Sequence, residues 1–166
     1  MSDTDVFADV LAANDDFAAD YDSRGLEPKA ARGLAVLTCM DSRIDPLRML
    51  GLQAGDAKIL RNAGARVTDD VLRTLVLARY LLGVERVMVV AHTRCRMAGG
   101  SEDDVHEAIK DAGGPDTRSM SFLTTTDQDG AVTLDVQRVR SSPYLADTTV
   151  GGFIFDLDTG RLRQVC

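Results

Sequence analysis

Basic residues are in short supply in this chain: 19 Lys and Arg stand against 26 Asp and Glu, for a formal net charge of −7. A phosphate backbone is recognised by concentrated positive charge, so a nucleic-acid partner is excluded. Long apolar runs are missing too, and nothing approaches the roughly 20 residues needed to cross a bilayer. The opening segment, Met1-Ser-Asp-Thr-Asp-Val6, has neither the basic start nor the apolar stretch of a secretion signal. A cytoplasmic location without membrane attachment is therefore expected. Internal repeats and low-complexity tracts are also absent. With 45% apolar and 27% charged residues over 166 positions, the composition is that of one compact globular domain.

Cysteine is scarce: only Cys39, Cys95 and Cys166 occur. An odd count in a reducing compartment favours metal ligands or nucleophiles over disulfide halves. Histidine is scarcer still, with His92 and His106 alone.

The apolar pattern organises the rest. Val6, Val10, Leu11 and Phe17 have helical spacing, with acidic residues on the opposite face. Leu34–Cys39 reads as a buried strand, Lys58–Arg61 as a shorter one and Arg86–Ala91 as a third. Between the last two, a periodic stretch opens at Asp69-Asp70 and closes at Gly83, the usual punctuation of a helix. Ser101 and Asp104 form a capping box for another helix, which carries His106 on what reads as a solvent-facing side. Residues 112–126 read as a loop. Val132, Val136 and Val139 share one helical stripe, and Asp158-Thr-Gly160 joins two final strands. Cys166, the last residue, is expected to be mobile and unligated. This alternation predicts an α/β fold: a mainly parallel β-sheet flanked by helices, with an antiparallel C-terminal edge hairpin and an N-terminal helical arm.

Three polar motifs fall at the C-terminal ends of the predicted strands: Cys39-Met-Asp41-Ser-Arg43, Arg61-Asn-Ala-Gly64 and His92-Thr-Arg-Cys95. In open α/β sheets that edge is where diverging loops create a binding crevice. Two thiols and one imidazole from this rim suit zinc, and three protein ligands leave a fourth position open. Two thiolates cancel the charge of the ion, so the water it holds is acidified less than in an all-histidine site. A helper is then needed. Arg43 is expected to pair with Asp41 through a bidentate contact, and Asp41 to accept a hydrogen bond from the zinc-bound hydroxide and orient it. Release of Asp41 from Arg43 would let it take the water's place on the metal. The Arg61–Gly64 segment is expected to support the site from behind.

These motifs, with their spacing and the Gly-Gly-Phe-Ile-Phe segment near the end, resemble those of the β-carbonic anhydrases over about residues 34 to 165. The resemblance implies a zinc-dependent lyase that hydrates carbon dioxide reversibly to bicarbonate (a carbonate dehydratase). It implies one zinc per chain on Cys39, His92 and Cys95, with Asp41 and Arg43 as the catalytic dyad. It also implies a homodimer or dimer of dimers, in which the N-terminal arm, residues 1–30 of a single domain spanning 1–166, packs on a partner subunit. Two departures stand out. Arg96 replaces the glycine usual after the second cysteine, and Arg94 stands where an acidic residue is common. Arg96 is expected to add bulk and positive charge at the mouth of the site. Both motivate a rival reading, a zinc-containing protein that binds bicarbonate without turnover. Another rival keeps the same zinc site but hydrolyses carbon disulfide or carbonyl sulfide. A cysteine phosphatase is excluded, because the loop from Cys39 to Arg43 is too short to wrap a phosphate.

Overall fold

A computed structural model describes residues 6–166. Its five strands are β1 (Leu34–Cys39), β2 (Ala57–Asn62), β3 (Arg86–His92), β4 (Thr149–Phe155) and β5 (Leu162–Gln164). They form one sheet in the order β2-β1-β3-β4-β5. The first four run parallel, and β5 returns antiparallel on β4 with Phe155 opposite Leu162. The helices are α1 (Ala8–Ala19), α2 (Pro46–Met49), α3 (Asp69–Leu81), α4 (Glu102–Asp111) and α5 (Gln128–Arg140). The expected α/β architecture and its antiparallel edge are both present. No helix among the described residues is long and apolar enough to cross a membrane.

All six residues of β1 are buried, as expected for a strand flanked on both sides. Alternation along it sends Ala35 and Leu37 to one face, where they meet Val71, Leu75 and Ala78 of α3 and Val132, Val136 and Val139 of α5. Leu34 and Val36 face the other way, towards Ile44, Met49 and Phe155. That second face is covered by only short or irregular chain. Ile59, Met88 and Phe153 stay partly exposed on it.

The helix ends follow their side chains. Thr68 accepts the Val71 N–H at the start of α3, Asp127 does the same for Gly130 at α5, and Ser101 with Asp104 closes a reciprocal box at α4. The arm behaves differently. Within its described part, residues 6–29 are all exposed, including Phe7, Val10, Leu11 and Phe17, and α1 buries nothing. Residues 1–5 of the expected arm lie outside the described residues.

Two expectations are corrected. Cys166 is not loose: its carbonyl accepts the Gly152 N–H at 2.9 Å, and its side chain packs against the core cluster that holds Val132 and Val136. Gly152 leaves the room for it, since a Cβ there would lie 2.9 Å from the Cys166 sulfur. His106 is half-buried rather than solvent-facing. Its Nδ1 lies 2.9 Å from the Thr117 hydroxyl and its ring 5.4 Å from that of Phe122. The loop 112–126 folds back over α4, bringing partners that helical spacing alone does not show.

Glu102 pins that loop. Its carboxylate accepts the N–H groups of Phe122 and Thr124, both at 2.8 Å. These backbone donors stabilise the anion and hold its pKa below the usual glutamate value. The folded-state value is depressed, so the contribution is present above the unfolded value and lost as pH falls through the folded one. Hydrogen-exchange protection at Phe122 and Thr124 should therefore fall in acid. Glu102→Gln should show the same loss at neutral pH; unchanged protection in that variant would remove Glu102 as the anchor.

Candidate metal centre

β1 and β3 are adjacent and parallel, so their C-terminal ends open on the same rim. Cys39 ends the first and His92 the second. The chain then turns sharply through Arg94, whose φ of +55° is rare for a side-chain-bearing residue, and returns Cys95 to the same point. The two sulfurs lie 3.9 Å apart, and the ligand atoms of Cys39, His92 and Cys95 all fall within 4.8 Å of one another. All three residues are buried.

The imidazole settles which of its atoms faces the sulfurs as a free donor. Nδ1 lies 2.9 Å from the Thr93 carbonyl, which can only accept, so Nδ1 carries the proton. Nε2 is left with its lone pair. It is buried and has no hydrogen-bond partner among the described residues. Such an atom costs free energy unless something occupies its lone pair. Zinc fits the donor set. Zn–S bonds of about 2.3 Å at a tetrahedral angle separate two sulfurs by about 3.8 Å, and the observed spacing is 3.9 Å.

The thiols alone are electrostatically unsettled. Hydrogen bonding with Cys95 draws Cys39 down towards the thiolate, against the cost of burial, with smaller help from His92 and from backbone N–H groups. The same contact, together with burial, pushes Cys95 up. Two buried sulfurs this close cannot both ionise without a cation between them.

Asp41 stands beside this cluster, its Oδ2 3.8 Å from His92 Nε2. Arg43 holds it by a fork: Nε donates to Oδ1 at 2.9 Å and Nη2 to Oδ2 at 2.6 Å, while the Arg43 backbone N–H adds a third bond at 3.0 Å. These contacts keep the Asp41 carboxyl well below the usual carboxylate range. Arg43 Nη2 also donates to the Arg94 carbonyl at 3.2 Å. Arg94 itself pairs with Asp158 of the β4–β5 turn at 2.9 Å, with both side chains largely exposed. Arg96 is exposed.

The Arg61–Gly64 segment backs the site. Arg61 donates to the Cys39 carbonyl at 2.9 Å and to the Asp41 carbonyl at 2.7 Å, fixing the chain that carries both residues. Gly64 donates its N–H to the Cys39 sulfur at 3.4 Å. Its φ of +78° is one glycine adopts freely, and a Cβ there would sit only 3.2 Å from that of Met97. One contact has no sequence signal: Gln128, at the first turn of α5, donates to the His92 carbonyl at 2.9 Å. A lone glutamine at a helix start looks like any exposed polar residue.

Known proteins share this sequence pattern and fold. The family profile described as carbonic anhydrase matches residues 34–162. Beta-carbonic anhydrase 1 of Mycobacterium tuberculosis is 36% identical over 160 residues, which cover 95% of this chain and 96% of that protein. The crystal structure of carbonic anhydrase from Streptococcus mutans superposes with a TM-score of 0.90 at 37% identity, covering 96% of this chain and 97% of that one. A carbon disulfide hydrolase of Acidithiobacillus thiooxidans is 30% identical over 152 residues, or 80% of this chain and 76% of that protein. With its fold matched across nearly the whole length and its profile match spanning the sheet, the chain belongs to the β-carbonic anhydrases, a family of lyases.

Proposed function

We propose that the chain interconverts carbon dioxide and bicarbonate using one zinc ion held by Cys39, His92 and Cys95. The observation that carries this reading is the buried, unpartnered His92 Nε2 facing two thiols at tetrahedral spacing. Zinc bound there supplies Lewis acidity that brings the pKa of water towards neutrality. The chain's own residues do the rest. Asp41 stays anionic at neutral pH because Arg43 stabilises its charge, so it accepts the O–H of the reacting water. That leaves an oxygen lone pair aimed at the carbon of carbon dioxide. The water's proton passes to buffer, the oxygen left behind forms the new C–O bond as one C=O π pair moves onto an oxygen of carbon dioxide, and the product is bicarbonate. Arg43, anchored in turn on the Arg94 carbonyl, keeps Asp41 from turning towards the cysteines.

Zinc quantification paired with stopped-flow hydration of carbon dioxide tests the reading. The expected result is one zinc per chain and a rate well above buffer. A full complement of zinc with no rate above buffer would favour the bicarbonate-binding protein. The carbon disulfide hydrolase relative favours a second reading on the same site. Sulfide release from carbon disulfide, exceeding carbon dioxide hydration, would select it.

The whole chain is read as one zinc-binding domain that works as a homodimer or dimer of dimers. The support is α1, which buries none of its residues within its own chain although it carries Val10, Leu11 and Phe17, and the half-covered sheet face around Ile59, Met88 and Phe153. Removing residues 1–20 should lower the mass measured by sedimentation. A shortened chain with the parent's assembly would take the arm out of the interface.

A further inference from the structure

Arg66 follows the Arg61–Gly64 segment, and its side-chain hydrogen bonds go to Asp135 and Leu123 rather than to the three ligand residues, yet the turn beside Cys39 is built around it. The Asn62 side chain clasps Arg66 at both backbone groups, accepting its N–H at 2.9 Å and donating to its carbonyl at 2.7 Å. Gly64, midway through that turn, supplies the N–H that reaches the Cys39 sulfur. The guanidinium reaches out of the turn. Its Nε donates to Asp135 of α5 at 2.6 Å and its Nη1 to the Leu123 carbonyl at 2.6 Å. Asp135 is only 5% exposed, so this is a charge pair inside the protein rather than a surface contact. A cavity of about 10 Å³, no larger than one water, lies among Arg66, Asp135 and Cys95.

We propose that Arg66, held by Asp135, is a positioning residue: it fixes the Gly64 N–H against the Cys39 sulfur and thereby sets how tightly the site holds its metal. The proposal rests on the reading of Cys39, His92 and Cys95 as ligands. A hydrogen bond to a thiolate withdraws charge from the sulfur and fixes its direction, so its loss alters both the affinity and the electronic spectrum of the bound ion. The contact has little slack. The turn is trapped between Cys39 on one side and Met97, two residues past Cys95, on the other. When the brace to α5 is removed, the turn is free to draw away from the sulfur.

The test uses the full-length protein with Zn²⁺ and, separately, Co²⁺. Zinc affinity is read by competition with a chromophoric chelator, and the sulfur-to-cobalt charge-transfer band by absorption. Arg66→Met and Asp135→Asn should each weaken zinc binding by about 10-fold or more and shift the cobalt band. Breaking a buried ion pair also destabilises the fold, so the double variant Arg66→Met/Asp135→Leu separates the two effects. Replacing both charges with apolar groups should restore the melting temperature but not the affinity or the band. A double variant that binds zinc and absorbs like the parent overturns the proposal, leaving Arg66 a packing residue. A parent that binds neither ion overturns the metal centre itself, and this proposal with it.

Discussion

Asp41→Asn should leave the zinc content unchanged and lower kcat/KM for carbon dioxide hydration by about 10²–10⁴-fold, the range in which a positioned proton acceptor acts. The substitution keeps the size of the side chain and removes one acceptor. Arg43 presents two N–H groups, to Oδ1 and Oδ2, and both need oxygen. An amide can offer only one. If its oxygen takes Nε, its NH₂ meets Nη2 and the fork opens. If its oxygen takes Nη2, the atom near His92 Nε2 remains an acceptor, but without the negative charge that makes it a strong one. In either case the reacting water loses its orienting anion, while the metal ligands are untouched. Metal analysis beside stopped-flow kinetics reads both halves, and full activity in the variant would remove Asp41 from the mechanism.

His92→Ala and Cys95→Ser should act one step earlier, by removing the metal. Losing a partner that merely supports a ligand typically costs 10- to 100-fold in affinity, so losing a ligand should exceed about 100-fold and abolish hydration with it. Cys166→Ala is the matching control. Its sulfur packs against Gly152 on the core side of the sheet, and no part of it belongs to the cluster. The control should retain zinc and activity. Zinc retained in dialysed His92→Ala would show that the imidazole is not a ligand and would sink the assignment.

The three-ligand cluster was legible because strand-end position and residue chemistry coincide. Cys39 and His92 each close an apolar run, and parallel strands put such ends on one rim. The Asp41–Arg43 fork was legible for the same reason, being two residues apart on the loop that leaves β1. Gln128, Arg66 and Asp135 were not. Each acts across the fold, from α5 or into it, and a contact between positions 66 and 135 leaves no local pattern in one sequence. His106 and Cys166 were misread for a related cause. Loop 112–126, which covers His106, has no periodic pattern, and Cys166 packs on β4 through the room left at Gly152, which hairpin spacing alone does not show.

The two sulfurs stand 56 positions apart in the chain and 3.9 Å apart in space. An ion gripping both ties a large loop shut, and the β2 excursion with α3 lies inside that loop. The two sulfurs reach this spacing because β3 lies beside β1, so the proposed ion would bridge the two strand ends. An ion bound there would couple unfolding to its own release, and the melting temperature should then climb with free zinc as mass action requires.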